Sequence, residues 1–246
     1  MRISRLYCPD VSQAKQAVIL SAQLSHYLVR VLRYRAGQKV KLFNNNDGYE
    51  YLAEVDKADN KACILIVIDR QKIDNESPVG TYLYPSLSKG AKLDTVIQKA
   101  TELGISGVMP IISERVDVKM PQAKTAAKIE HWQKVAISAA EQSGRVFFPS
   151  VNPVRTLQNA LETVKADVKI LLSPFADQKL KALYPQFPDA TSFAVFIGPE
   201  GGFAKQEVSL AKACGCQVIL LGPRVLRTET APLATVSMIQ LLWGDA

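Results

Sequence analysis

The chain has 246 residues, 48% hydrophobic and 22% charged, a balance that suits a soluble protein of one large domain or two unequal ones. No apolar run approaches the roughly 20 residues of a membrane span, and Met1-Arg2-Ile3-Ser4-Arg5 lacks the apolar core of a secretion signal, so a cytoplasmic protein without a membrane role is expected. The net charge of +7 is concentrated: residues 1–41 hold Arg2, Arg5, Lys15, Arg30, Arg33, Arg35, Lys39 and Lys41 against the single acid Asp10, and the remaining 22 basic and 22 acidic residues cancel.

That excess suits contact with a polyanion, or is a solvated basic face. Within it, Ser21 to Tyr34 predicts a helix with Leu24, Leu28, Val31 and Leu32 as its apolar stripe. Arg30 and Arg33 then lie three apart, with His26 four before Arg30, so one helix face would track a phosphate backbone; helix packing is the other reading of His26. Val40 to Phe43 and Tyr49 to Val55 read as strands about the turn Asn44-Asn45-Asn46-Asp47-Gly48, and Ala62 to Ile68 is a β-branched run. The sum is a small barrel-like β domain with one helix. The polar stretch Gln71 to Gly80 reads as a linker, and we place the domains at 1–73 and 74–246.

Beyond it strands and helices alternate. Strands are expected over Thr81 to Leu87, Gly107 to Ile112, Val168 to Leu172, Phe193 to Ile197 and Gln217 to Leu221. Helices are expected over Lys92 to Leu103, Lys124 to Ser143, Lys205 to Cys214 and from about Thr228 to Trp243. The expected fold class is therefore α/β, a parallel sheet covered by helices.

In such sheets ligands bind at the carboxyl ends of the strands. Three loops fall there: Leu172-Ser173-Pro174, Gly198-Pro199-Glu200-Gly201-Gly202-Phe203, and Leu221 to Leu226. The second surrounds one glutamate with three glycines and a proline. It is neither a dinucleotide fingerprint nor a Walker loop, and either accommodates a ligand or is a tight turn with Glu200 in solvent. The third continues through Arg227-Thr228-Glu229-Thr230-Ala231. Thr228 reads as a helix N-cap and Glu229 as an acid favoured in the first turn. Arg224 and Arg227 beside a positive helix end are unfavourable there, which points to an anionic or electron-rich ligand. Cys8, Cys63, Cys214 and Cys216 form no disulfide or zinc pattern, and His26 and His131 are too far apart in sequence to suggest a site, so no metal is expected.

Ile197 to Phe203 together with Leu221 to Ala231 resemble the 16S ribosomal RNA uridine-N3 methyltransferases. So do Gln98-Lys99-Ala100-Thr101-Glu102-Leu103-Gly104, Ser113-Glu114-Arg115, Glu141-Gln142-Ser143-Gly144-Arg145 and the segment His26 to Arg33. The resemblance covers nearly the whole chain. It implies an N-terminal PUA-like RNA-binding barrel over 1–73 and a C-terminal SPOUT domain over 74–246, whose chain forms a trefoil knot, an exception to the rule against threading. It implies S-adenosyl-L-methionine as cofactor, held by Leu172, Ser173, Pro174, Ile197, Gly198, Pro199, Glu200, Gly201, Leu221, Gly222, Val225, Leu226, Arg227 and Thr228. It implies a homodimer formed in part by the last helix, and 16S ribosomal RNA or the small ribosomal subunit as partner.

Methylation of uracil N3 requires loss of its proton and stabilisation of the resulting anion. Arg227 is the candidate stabiliser, and Glu229 the candidate proton acceptor or orienter of that arginine. Because N3 lies on the pairing edge, the target is unpaired or flipped out, with Arg2, Arg5, His26, Arg30, Arg33 and Arg35 as RNA contacts. Two other readings stand: a knotted methyltransferase for another position such as a ribose 2′-hydroxyl, and a non-catalytic RNA-binding assembly factor.

Overall fold

Apolar residues at alternate positions of β-rich segments in the first seventy residues close one face of a five-stranded sheet over a core. The computed structural model describes residues 3–88, 90–116 and 122–246. The chain divides into two units, Met1–Glu76 with Ala140–Phe148, and Ser77–Ala139 with Pro149–Ala246.

In the first unit the strands are β1 (Arg5–Tyr7), β2 (Ala17–Ile19), β3 (Lys39–Phe43), β4 (Tyr49–Lys57) and β5 (Ile64–Lys72), in the order β1-β3-β4-β5-β2. β1 pairs with β3 in parallel and the other pairs are antiparallel. Val40, Leu42, Tyr51, Ala53, Val55, Leu65 and Val67 point inward onto Leu6 and Leu28. The predicted Asn44–Gly48 turn is built from its own side chains. Asn44 Oδ1 accepts the N–H groups of Asn46 and Asp47, and the Asp47 carboxylate accepts the Tyr49 N–H and the Tyr51 hydroxyl.

The helix expected over Ser21 to Tyr34 is shorter. α1 covers Ala22–His26, with the Ser21 hydroxyl accepting the Leu24 N–H as an N-cap. A π turn then runs over Tyr27–Val31, marked by the Leu32 N–H on the Tyr27 carbonyl at 2.9 Å. A π turn takes in one residue more than an α turn, so the periodic stripe loses phase: Leu28 is buried while Val31 is 57% exposed. Arg33, at φ +60°, has left the helix, so Arg30 and Arg33 do not share a helical face in the expected way.

In the second unit the order along the chain is β6 (Gly80–Pro85), α2 (Lys92–Glu102), β7 (Gly107–Val108), β8 (Ile111–Ile112), α3 (Gln122–Ser143, whose last turn counts with the first unit), β9 (Ser150–Val151), β10 (Arg155–Thr156), α4 (Leu157–Thr163), β11 (Val168–Leu172), β12 (Gln178–Lys179), β13 (Ser192–Ile197), α5 (Lys205–Ala213), β14 (Gln217–Leu220) and α6 (Thr230–Trp243). Seven strands make one sheet in the order β12-β14-β11-β13-β6-β7-β9, and every pair is parallel. The single strand expected over Gly107 to Ile112 is two. Pro110 has no N–H with which to continue the ladder, and β8 pairs instead with β10.

Both faces of the sheet are covered. Along β13, Phe193, Val195 and Ile197 join a core with Leu93, Val96, Ile97 and Ala100 of α2 and Val236 and Ile239 of α6. Ala194 and Phe196 face the other way, onto Leu157, Ala160 and Leu161 of α4 and Ala211 of α5. Each such buried aliphatic or aromatic side chain stabilises the fold by roughly 1.5–3 kcal/mol. The adjacent strands β14, β11 and β13 are thereby fixed side by side with their carboxyl ends together.

α6 starts two residues later than expected. Glu229 occupies its N-cap position without a side-chain cap bond. The Thr228 hydroxyl donates to Glu229 Oε2 at 3.2 Å, and the Thr230 and Ala231 N–H groups turn to the Arg227 carbonyl. Thr228 is therefore not the cap that its residue type suggested.

Candidate active site

β11, β13 and β14 end at Leu172, Ile197 and Leu220, and the loops that follow them enclose a cavity of about 570 Å³, within the range of small-molecule and cofactor sites. From the first loop come Leu172, Ser173, Pro174 and Phe175. From the second come Ile197, Gly198, Pro199, Glu200, Gly201 and Gly202. From the third come Leu221, Arg224, Val225, Leu226, Arg227 and Thr228, with Ile219, Leu220, Ala231 and Lys92 completing the wall. The residues singled out in the sequence come together here, apart from Gly222 and Glu229, which stand outside the lining.

The glycine loop is shaped by two different constraints. Gly202 takes φ +66°, a conformation costly for a residue with a Cβ. Gly198 is needed for close approach: an added Cβ would stand 3.2 Å from the Phe203 nitrogen and 3.3 Å from the Gly202 backbone. Gly202 N–H closes the turn on the Pro199 carbonyl at 2.8 Å. Two side chains brace the loop from outside. Arg115 Nη1 donates to the Gly201 carbonyl at 2.8 Å, and Lys92 Nζ, at the start of α2, reaches Glu200 Oε1 at 2.6 Å. Just beyond the loop, Glu207 accepts the Ala204 N–H and the Glu114 N–H, joining the start of α5 to the segment Ser113-Glu114-Arg115. Neither Lys92 nor Arg115 was assigned a site role from the sequence. A lysine opening a helix and an arginine in a loop carry no pattern that says which strand end they reach.

In the third loop Arg227 is 85% exposed, and its Nη1 lies 3.9 Å from Glu229 Oε1. So long and exposed an ion pair holds the arginine weakly, leaving its donors for a ligand. Phe175, 92% exposed at the rim, was also missed. A bulky aromatic directly after Ser-Pro at a strand end was the signal available.

The cavity suits S-adenosylmethionine. Ile197 and Ile219 are buried and give it an aliphatic wall for a heterocycle. In the glycine loop nothing lies within 4 Å of a Cβ added at Gly202, so its main chain is open to close approach. Lys92, Arg224 and Arg227 supply cations at its edge.

Residues 75–240 match the profile of an RNA methyltransferase domain, and residues 20–68 that of an RNA methyltransferase PUA domain. The ribosomal RNA small subunit methyltransferase E of Buchnera aphidicola (from Schizaphis graminum) is 33% identical over 99% of this chain and 98% of its own length.

This chain belongs to the ribosomal RNA small subunit methyltransferase E family.

The Bacillus subtilis family member is 34% identical over 89% of this chain and 90% of its own. Among solved structures, the family member from Neisseria gonorrhoeae, bound to S-adenosyl methionine, superposes with a TM-score of 0.91 at 34% identity, covering 99% of each chain. A Legionella pneumophila protein solved with bound SAM superposes with a TM-score of 0.94 at 33% identity, covering all of both chains.

Two of the family-like segments serve the fold of this methyltransferase. In Glu141-Gln142-Ser143-Gly144-Arg145, the Glu141 carboxylate accepts the Tyr7 N–H at 2.9 Å, and Arg145 pairs with Glu76 at 2.5 Å. Burial pushes the Glu141 carboxyl above its ordinary value, against the Tyr7 N–H and the Arg5 charge. In Gln98 to Gly104, Lys99 pairs with Glu102 on the surface of α2.

The residues expected to meet RNA divide. His26, Arg30, Arg33 and Arg35 are exposed, and Arg2 lies outside the described residues. Arg5 is a correction. Its side chain is only 9% exposed, Nε binds Glu50 at 2.6 Å, and Nη1 and Nη2 donate to the carbonyls of Ala140, Glu141 and Arg145. With all three nitrogens engaged, it satisfies carbonyls at the end of α3, where a cation is favoured, and four of its five N–H donors are committed inside the protein.

Proposed function

We propose that this methyltransferase E family member transfers a methyl group from S-adenosylmethionine to N3 of a uridine in small-subunit ribosomal RNA, working in the cytoplasm. The cavity at the ends of β11, β13 and β14 is the observation that carries this reading, because the three loops noted in the sequence meet around it.

S-adenosylmethionine, when bound, supplies a methyl group on a positively charged sulfur. Leu172 to Pro174, Ile197 to Gly201 and Leu221 to Thr228 would hold it, in the threaded loops of a trefoil knot, with Arg115 and Lys92 keeping the glycine loop in place. Arg227, permanently protonated and exposed, stabilises the negative charge that gathers on the uracil ring as the N3 proton leaves. Glu229, 3.9 Å from Arg227 Nη1, is the candidate acceptor of the departing proton or the orienter of that arginine. The first unit is the RNA-binding PUA-like domain. His26, Arg30, Arg33 and Arg35 contact phosphates there, so affinity falls steeply with salt.

A homodimer completes the reading. α6 is apolar on its outward side as well as its buried one, with Leu241 68% and Met238 37% exposed, and Val225 in the loop before it is 82% exposed. A second copy covers these residues.

The test is methylation of small-subunit particles and naked 16S RNA, followed by mass-spectrometric mapping of the modified nucleoside. 3-Methyluridine is expected, and a 2′-O-methylated nucleoside in its place overturns the assignment of the acceptor. At donor concentrations that calorimetry shows to be saturating, Arg227→Ala is expected to lose roughly 100-fold or more in turnover; unchanged turnover removes Arg227 from the chemistry.

A further inference from the structure

Phe175 stands at the cavity rim with 92% of its surface exposed. It belongs to the same lining as Arg224 and Arg227. Its backbone is fixed although its ring is not covered. Ser173 Oγ accepts the Phe175 N–H at 3.2 Å, and Pro174 has its φ locked by its ring. The buried wall of the cavity is aliphatic, made by Ile197 and Ile219, while the aromatic ring faces solvent at the edge.

A phenylalanine so exposed contributes almost no burial energy to the fold. At the mouth of a cavity that acts on RNA it has a use. An unpaired base exposes its π-face, and stacking on an aromatic ring is available to any base. Stacking engages the face and leaves the pairing edge free, which is where N3 lies. It also helps offset the loss of stacking when a base leaves its helix. Arg224, from the loop after β14, is exposed in the same lining, and an arginine fork matches a phosphate.

We propose that Phe175 is the platform on which the unpaired acceptor nucleotide stacks, with Arg224 holding an adjacent phosphate. The inference rests on the methyltransferase reading above and adds the acceptor subsite to it.

Wild type, Phe175→Ala, Phe175→Trp and Arg224→Gln are compared on the ribosomal RNA substrate with S-adenosylmethionine. Phe175→Ala is expected to lower kcat/KM for RNA by roughly tenfold or more, through KM more than kcat. Its donor affinity by calorimetry and its sedimentation are expected to match wild type. Phe175→Trp retains most of the activity, and its added indole emission is quenched by a single-stranded oligonucleotide containing uridine. Arg224→Gln reduces the salt slope of RNA binding by about one. Unchanged kcat/KM in Phe175→Ala overturns the platform. So does a donor affinity weakened about tenfold, which puts the ring on the donor, or an altered sedimentation, which puts it beneath a second copy. If wild type neither binds the donor nor methylates RNA, the parent reading fails and the platform with it. If wild type is active and Phe175→Ala equals it, the platform alone fails.

Discussion

The Arg5 guanidinium reaches Glu50 and three main-chain carbonyls inside the first unit, and Lys41 Nζ meets the same glutamate at 2.6 Å. Burial pushes the Glu50 carboxyl up, but the hydrogen bonds and charges of Lys41 and Arg5 outweigh it and hold the group below its ordinary value. Arg5→Ala is expected to cost about 3 kcal/mol in urea unfolding, because it leaves the buried Glu50 carboxylate with Lys41 alone and three carbonyls without their donor. The salt slope of RNA binding should stay as in wild type; a slope reduced by about one would return Arg5 to the RNA contacts. Since the folded Glu50 binds its proton less readily than the unfolded one, its contribution is complete above the ordinary glutamate range. It is lost as pH falls through the lower folded value, so the penalty of Arg5→Ala shrinks in acid. In the sequence Arg5 was one cation in a basic segment. Its charge was legible there, but its burial depended on carbonyls more than a hundred residues away.

At the scale of elements, periodicity was a sound guide where a segment packs along its length. α2, α3, α5 and β11 lie within a few residues of the expected positions, where their apolar residues enter the buried cores. It misled at Tyr27–Val31, where a π turn shifts the phase, and at Pro110, where a missing donor splits one strand between two sheets. The glycine loop gives the element-scale prediction. Gly202→Ala meets open space but keeps φ +66°, so it should cost roughly 1–2 kcal/mol of stability and weaken donor binding. Gly198→Ala, which runs into backbone atoms at 3.2–3.3 Å, should weaken it more. Calorimetric affinities in the reverse order would refute this account of the loop.

At the scale of the whole molecule, α6 serves the core with Val236 and Ile239 and presents Leu241 on its other side. Leu241→Glu is expected to convert the proposed dimer to monomers in sedimentation experiments and to depress methylation, while thermal unfolding of the isolated chain changes little, since Leu241 is 68% exposed there. A monomeric wild type, or an unaltered dimer in the variant, contradicts the proposed interface. Among the described residues no group of histidine, cysteine, aspartate or glutamate is arranged to hold a metal ion, and no helix is long and apolar enough to cross a membrane.

Local chemistry by itself determined a parallel α/β region after a β-rich one and rigid glycine loops at strand ends, because alternation, helical spacing and glycine–proline turns are properties of neighbouring residues. Order and spacing of several such segments carried the family resemblance. Only the tertiary structure decided that β14, β11 and β13 stand side by side, so that loops separated by up to about fifty residues close on one cavity. It alone decided that Lys92 and Arg115 brace the glycine loop, that Phe175 is left in solvent, and that Arg5 is buried. Those facts depend on strand order and on which distant carbonyl or carboxylate a side chain meets, and neighbours along the chain hold no record of them.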